Sequence, residues 1–130
     1  MGSEMCIRDR LLLQKKGNYK DRFVIKTTSG IYLLDALDIS LVQASGTFCK
    51  LIDYKGKIHI LSQSIGSLVE VLNPKVFFRV NRSQIIHIKY IGSMETYFKN
   101  RLLLHMKGTK EKVLTSSSVT ADFRSWLDQT

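Results

Sequence analysis

FFRVNRSQIIHIKYI, residues 77–91, is the stretch on which the fold turns. Phe77, Phe78, Val80, Ile85, Ile86, Ile88 and Ile91 fall where a buried backbone needs apolar side chains. Between them lies a short polar insert, Asn81-Arg82-Ser83-Gln84, with Arg79 just before it. Apolar strands on both sides hold such an insert still and push it outward. Arginine carries a planar five-donor fork and asparagine both donors and an acceptor, which suits base edges or phosphate. The plainer reading makes Arg79 and Arg82 surface arginines whose stems lie over the core.

The charge of the chain bears on that choice. Twenty Lys and Arg stand against 11 Asp and Glu, a net charge of +9. A balance this basic suggests a polyanionic partner, either nucleic acid or an anionic membrane face. Residues 71–112 hold nine bases against Glu95 and Glu111, while residues 21–70 carry five of each sign and cancel. The basic field therefore belongs to the half of the chain that contains the opening stretch.

With 130 residues, 44% of them hydrophobic and 24% charged, the chain is long enough and apolar enough for one domain with its own core. Cys6 and Cys49 make neither a disulfide framework nor a metal-ligand spacing, so reduced thiols and a cytoplasmic setting are expected. No apolar run approaches a membrane span, and Leu11-Leu12-Leu13 is too short for a signal peptide. Residues 1–18 show no clear period and read as a leader, a linker or an expression remnant, which leaves 19–130 as the functional domain.

From Asp21 onward the pattern is mostly β. Arg22 to Thr27 alternates, Ser29-Gly30 turns the chain into Ile31 to Leu34, and Ile39 to Gln43 reads as a third strand. Ala44-Ser45-Gly46 breaks it before Thr47 to Tyr54, and Lys55-Gly56 forms a hairpin connection into Lys57 to Ser62. Ile65, Leu68, Val69 and Leu72 then mark a helix, capped by Ser64 and stopped by Asn73-Pro74. After the central stretch, Ser93 to Phe98 and Arg101 to Met106 meet at Lys99-Asn100, and Glu111 to Thr115 is a last strand. A second helix near Ser118–Leu127 buries Val119, Phe123, Trp126 and Leu127, with Ser117 or Ser118 as its cap. Five strands, a helix, five strands and a helix, with no β-helix-β alternation, imply largely antiparallel sheets. An extra turn is allowed at Asn81–Gln84.

Over about Lys20 to Gln129 the sequence resembles the LytTR-type DNA-binding domains of bacterial response regulators. The resemblance rests on Phe78-Arg79-Val80-Asn81-Arg82-Ser83 with Ile85-Ile86, on Asp38 through Phe48, on Leu72-Asn73-Pro74, and on the serines before the last helix. It implies elongated, largely antiparallel sheets of about ten strands with two short helices, in which loops rather than a helix enter successive major grooves. The implied reading loops are Gly46-Thr47-Phe48-Cys49-Lys50, then Arg79 to Ser83 with Asn81 and Arg82 at its tip, then Ser116-Ser117-Ser118. Lys89, Lys107 and Lys110 are candidate phosphate contacts. The implied partners are double-stranded DNA with promoter repeats, an upstream receiver domain and a sensor kinase, with pairing as a dimer on DNA. The sequence departs from the family pattern in three places. The family more often has histidine at Asn81, asparagine at His87 and an arginine near Ser117 or Ser118. The third loop therefore offers hydroxyls and helix N-terminal amides, which suit phosphate.

Other chemistries are weakly represented. His59, His87 and His105 lie inside strand patterns, no phosphate-cradling glycine loop occurs, and Asp35, Asp38 and Asp53 are scattered turn residues, so no catalytic group, metal or cofactor is expected. Cys49 beside Lys50 reads as an inert strand thiol unless the first loop turns it toward the groove. The remaining alternative is a basic protein-interaction or anionic-surface module. Neither helix carries the bases a membrane-surface helix needs, and the tyrosines are too scattered for a base-stacking platform.

Overall fold

A computed structural model describes residues 19–129; the leader expected over 1–18 lies outside the described residues. Ten strands and two α-helices occur among them. The strands are β1 (Arg22–Thr27), β2 (Gly30–Asp35), β3 (Ile39–Ser45), β4 (Phe48–Asp53), β5 (Ile58–Leu61), β6 (Phe77–Asn81), β7 (Gln84–His87), β8 (Ile91–Tyr97), β9 (Arg101–Met106) and β10 (Lys112–Leu114). Helix α1 spans Ile65–Val71, between β5 and β6, and α2 spans Thr120–Asp128 at the end. Short 3-10 turns at Ala36–Asp38, Ile88–Tyr90 and Phe98–Asn100 link neighbouring strands.

Every strand pairing among the described residues is antiparallel. The sheets are a two-stranded β1-β2 hairpin, a five-stranded sheet in the order β5-β4-β3-β7-β6, and a three-stranded sheet in the order β10-β9-β8. The five-stranded sheet is the middle layer, and each of its faces supports a separate core. On one face Phe23, Ile25 and Leu34 from the hairpin and Ile65 and Leu68 from α1 pack on Val42, Cys49, Leu51 and Ile85. On the other face Leu102, Leu104 and Met106 of β9 and Phe123 of α2 pack on Leu41, Ile52, Val80 and Ile86. Burial on both faces explains why the first four residues of β3 and all of β7 are buried, where a half-exposed strand would alternate.

The local signals set α1 closely. Ser64 Oγ accepts from Ser67 N at 3.2 Å, and Leu72 with the turn at Pro74 ends the helix. Helix α2 differs from expectation. It starts at Thr120, and its cap position is Val119, without a side-chain hydrogen bond, so neither Ser117 nor Ser118 caps it. Phe123 is its fully buried anchor, while Trp126 is only half-buried at the edge of the core and donates its Nε1 hydrogen to Pro74 O at 2.7 Å. At one end of the molecule, the loop after β9 meets the β4–β5 turn at Gly108. A Cβ there would lie 2.4 Å from Asp53 O, and φ is +90°, so only glycine fits.

Candidate nucleic-acid interface

The polar insert is the tip of the β6–β7 hairpin. Asn81 pairs with Gln84, and Arg82-Ser83 is the two-residue turn, in place of an extra helical turn. A register shift between Arg79 and Asn81 places Val80 in a bulge, which swings Asn81 toward the three-stranded sheet. There its Nδ2 donates to Leu114 O at 2.8 Å and to Gln84 Oε1 at 2.9 Å. Its Oδ1 accepts from Ser83 N at 2.9 Å and from Ser83 Oγ at 3.2 Å. All four hydrogen-bonding positions of the Asn81 amide are thus used inside the domain. Asn81 is the knot that ties the tip, and nothing of it is left over for a ligand.

Arg79 braces the same tip from the other face. Its Nη2 donates to Arg82 O at 2.6 Å, and its positive charge lies close enough to Cys49 to act on the thiol. Arg82 itself is exposed, and its guanidinium makes no hydrogen bond or ion pair among the described residues. Glu95 is not its partner, because that carboxylate accepts from His105 Nε2 at 2.6 Å.

The other two predicted loops lie at the same end of the five-stranded sheet. Gln43 pairs with Gln84, and Ala44 N donates to Ser83 O at 2.7 Å, which sets the Gly46-Thr47 turn beside the hairpin tip. Ser116 N donates to Val80 O at 2.9 Å and Thr120 Oγ1 to Ser116 O at 2.8 Å, which fixes the pre-helix loop on the tip's other flank. Arg79, Asn81, Arg82, Ser116, Ser118 and Val119 line a shallow cleft of about 330 Å³ between them. Thr47, Arg82, Ser83, Ser117 and Ser118 are exposed, and Phe48, Lys50, Arg79 and Ser116 are half-buried.

Two expected site residues are elsewhere. Cys49 is 0% exposed in the core between the sheet and the β1-β2 hairpin, because β4 begins at Phe48 and its alternation turns the thiol inward. Burial pushes the thiol pKa up, against a smaller opposing effect of Arg79. A groove-facing Cys49 does not fit this placement. Lys89 lies in the 3-10 turn after β7, at the far end of the sheet from Arg82, with its Nζ 5.6 Å above the Tyr90 ring. Lys107 joins it there, since its N–H donates to Tyr90 O at 2.9 Å. The basic half of the sequence is therefore two basic ends in space.

The three histidines have structural surroundings. His59 is buried, with Tyr32 Oη 2.5 Å from Nδ1 and Asp53 Oδ2 3.0 Å from Nε2, a chain that joins the β1-β2 hairpin to the edge of the central sheet. His87 is 2% exposed, and its Nδ1 accepts from Lys89 N at 3.0 Å. Burial, with a smaller effect of the Lys89 charge, lowers its pKa from 6.5 to about 4. Among the described residues no group of three or more His, Cys, Asp or Glu side chains is arranged to hold a metal ion, and no helix is long and apolar enough to cross a membrane.

Comparison with known proteins agrees with this geometry. A solved structure, the LytTr DNA-binding domain of a methyl-accepting/DNA response regulator from Bacillus cereus, superimposes with a TM-score of 0.73 over 83% of this chain and 97% of that one. At 22% identity, that likeness establishes the fold. The transcriptional regulatory protein NatR of Bacillus subtilis (strain 168) is 25% identical over 119 residues, which cover 91% of this chain and 51% of NatR. The chain thus spans about half the length of this curated relative. The sequence profile of the LytTr DNA-binding domain matches residues 29–128, from the second strand through the last helix, and the chain belongs to that family.

Proposed function

We propose that this domain recognises double-stranded DNA sequence-specifically with the tied end of its central sheet, and that Arg82 is the base-reading side chain. One observation carries the reading. Arg82 offers an exposed guanidinium, unpartnered among the described residues, from a turn whose backbone is held by Asn81 on one side and Arg79 on the other. Rigid mounting of this kind is what a bidentate contact to guanine O6 and N7 requires. Thr47, Phe48 and Lys50 flank it from the first loop. Ser83, Ser116, Ser117 and Ser118 supply hydroxyls, and the remaining donors of Arg79 supply charge, for the phosphates on either side. Asn81 positions the tip, while Cys49 and Lys89 fall outside this set.

Membership of a DNA-binding family and the likeness to a transcriptional regulator support a wider setting. In that setting the domain is the output half of a bacterial response regulator working in the cytoplasm. A receiver domain addressed by a sensor kinase precedes it, and two copies sit on promoter repeats. The work is binding, with no catalytic step. A general anionic-surface module would need only loose charge, and the braced arginine argues against it.

The test is selection of binding sites from random duplexes, followed by footprinting, with wild type and Arg82→Ala. The variant should lose about 1–3 kcal/mol on the selected site and relax preference at one base pair, with its melting temperature unchanged. Equal base preference in the two proteins would remove Arg82 from the reading role.

A further inference from the structure

The β8–β9 hairpin ends in Tyr97-Phe98-Lys99-Asn100-Arg101, and no function described so far uses it. Lys99 and Asn100 have φ of 58° and 60°, a left-handed pair inside the three-residue connection Phe98–Asn100, so this tip is a defined structure. Phe98 is 75% exposed, the largest exposure among the large hydrophobic residues described. Its ring stands edge-on to Tyr97 at 5.0 Å, and the Arg101 guanidinium lies 5.9 Å from the Tyr97 ring centre. The turn end of the hairpin is pinned to the pre-helix loop. Arg101 Nε donates to Thr115 O at 3.1 Å, and Leu102 N donates to Thr115 Oγ1 at 2.9 Å. Thr115 directly precedes Ser116, which lines the cleft beside Arg82. The aromatic tip therefore projects from the same end of the molecule as the three loops.

We propose that this tip is a fourth DNA contact, one that grips the sugar–phosphate backbone beside the base-reading site. Lys99 and Arg101 supply positive charge, and no acidic residue lies between Thr96 and Lys110 to offset it. Glu95, the nearest acid before the tip, is held by His105 at 2.6 Å. An exposed phenylalanine next to two cations fits a deoxyribose face bounded by phosphates, where the ring loses water and the cations displace counterions. Such a contact adds affinity and footprint length without adding sequence information. The inference rests on the proposed DNA reading, and it commits to the same duplex as the occupant of the tip.

The experiment compares wild type, Phe98→Ala, Lys99→Ala and Arg82→Ala on two duplexes. One is the selected site with long flanks, and the other is the same site trimmed to the base pairs that Arg82 and its neighbours cover. On the long duplex Phe98→Ala should weaken binding roughly three- to tenfold, as expected for loss of a partly buried ring. Lys99→Ala should lower the log–log salt slope by about 0.9, one phosphate's worth. Both should keep the wild-type base preference and melting temperature, and both should match wild type on the trimmed duplex. If the two variants equal wild type on the long duplex while Arg82→Ala loses preference, the fourth contact is wrong and the reading loops stand. If wild type selects no sequence at all, the underlying reading fails first. If Phe98→Ala instead changes the monomer–dimer balance and leaves DNA affinity alone, the tip is a contact between copies of this chain, and the proposal is overturned.

Discussion

Replacing Asn81 with alanine asks whether the hairpin tip is a built object or a loose loop. Alanine removes two donors, to Leu114 O and Gln84 Oε1, and two acceptor contacts, from Ser83 N and Ser83 Oγ. Ser83 is exposed, so its donors turn to water and little is lost there. Gln84 is buried and Leu114 half-buried, and each is left short of a partner in a poorly hydrated place, at about 1–2 kcal/mol apiece. The sum is about 2–4 kcal/mol, or roughly 8–16 °C in melting temperature at about 4 °C per kcal/mol for a domain of this size. Asn81→Asp is the sharper variant. It keeps the acceptor for Ser83 but sets a carboxylate oxygen against the oxygens of Leu114 and Gln84, so it should cost at least as much as alanine at pH 7. Because Arg82 follows Asn81, base preference should fall with stability in both variants, although no base contact has been deleted. Thermal unfolding by circular dichroism and competition between the selected and a scrambled duplex should be run on the same preparations. An Asn81→Ala protein that melts within about 2 °C of wild type, against the shift worked above, and yet loses base preference would mean that Asn81 touches DNA itself. The knot would then be worth little.

Three further outcomes are expected. The folded pKa of His87 lies below its unfolded value of 6.5, at about 4, so the unfolded chain binds the extra proton and stability falls as pH drops from 6.5 to 4. The loss is about 3 kcal/mol at most and levels off below pH 4; denaturant titrations of wild type and His87→Asn should differ in this window, and coincident pH profiles would refute it. Cys49 should react with thiol reagents only as fast as the domain opens, with DNA-bound and free protein both protected; rapid labelling of the native domain would contradict its burial. Phe123→Ala should cost about 3–5 kcal/mol and Trp126→Ala clearly less, because one ring is fully enclosed and the other lies at the edge; reversed costs in chemical denaturation would overturn that ranking.

What the sequence determined by itself was whatever depends on neighbours a few residues apart. Ser64 caps α1 directly and Pro74 lies two residues past its C-cap Leu72, because a cap and a proline's restriction of its neighbour act locally. The hairpin connections at Lys55-Gly56 and Lys99-Asn100 are legible for the same reason, as is the five-strand, helix, five-strand, helix order, which follows from the period of the apolar residues. The outward position of Arg82 was also readable, since apolar strands on both sides leave a polar pair nowhere else to go.

The tertiary structure decided what depends on distant partners. Cys49 alternates inward or outward with equal local logic, and only packing against the β1-β2 hairpin settles it. Asn81 looks like a reader until Leu114, 33 residues away, takes its amide hydrogen. Trp126 and Phe123 share one helical stripe, and the crossing of α2 over the sheet chooses which ring is enclosed. Lys89 and Arg82 are seven positions apart in one basic stretch, yet an antiparallel strand between them carries their charges to opposite ends of the sheet. A strand rises about 3.3 Å per residue, so a local count of charge has no direction until the strand's partners give it one.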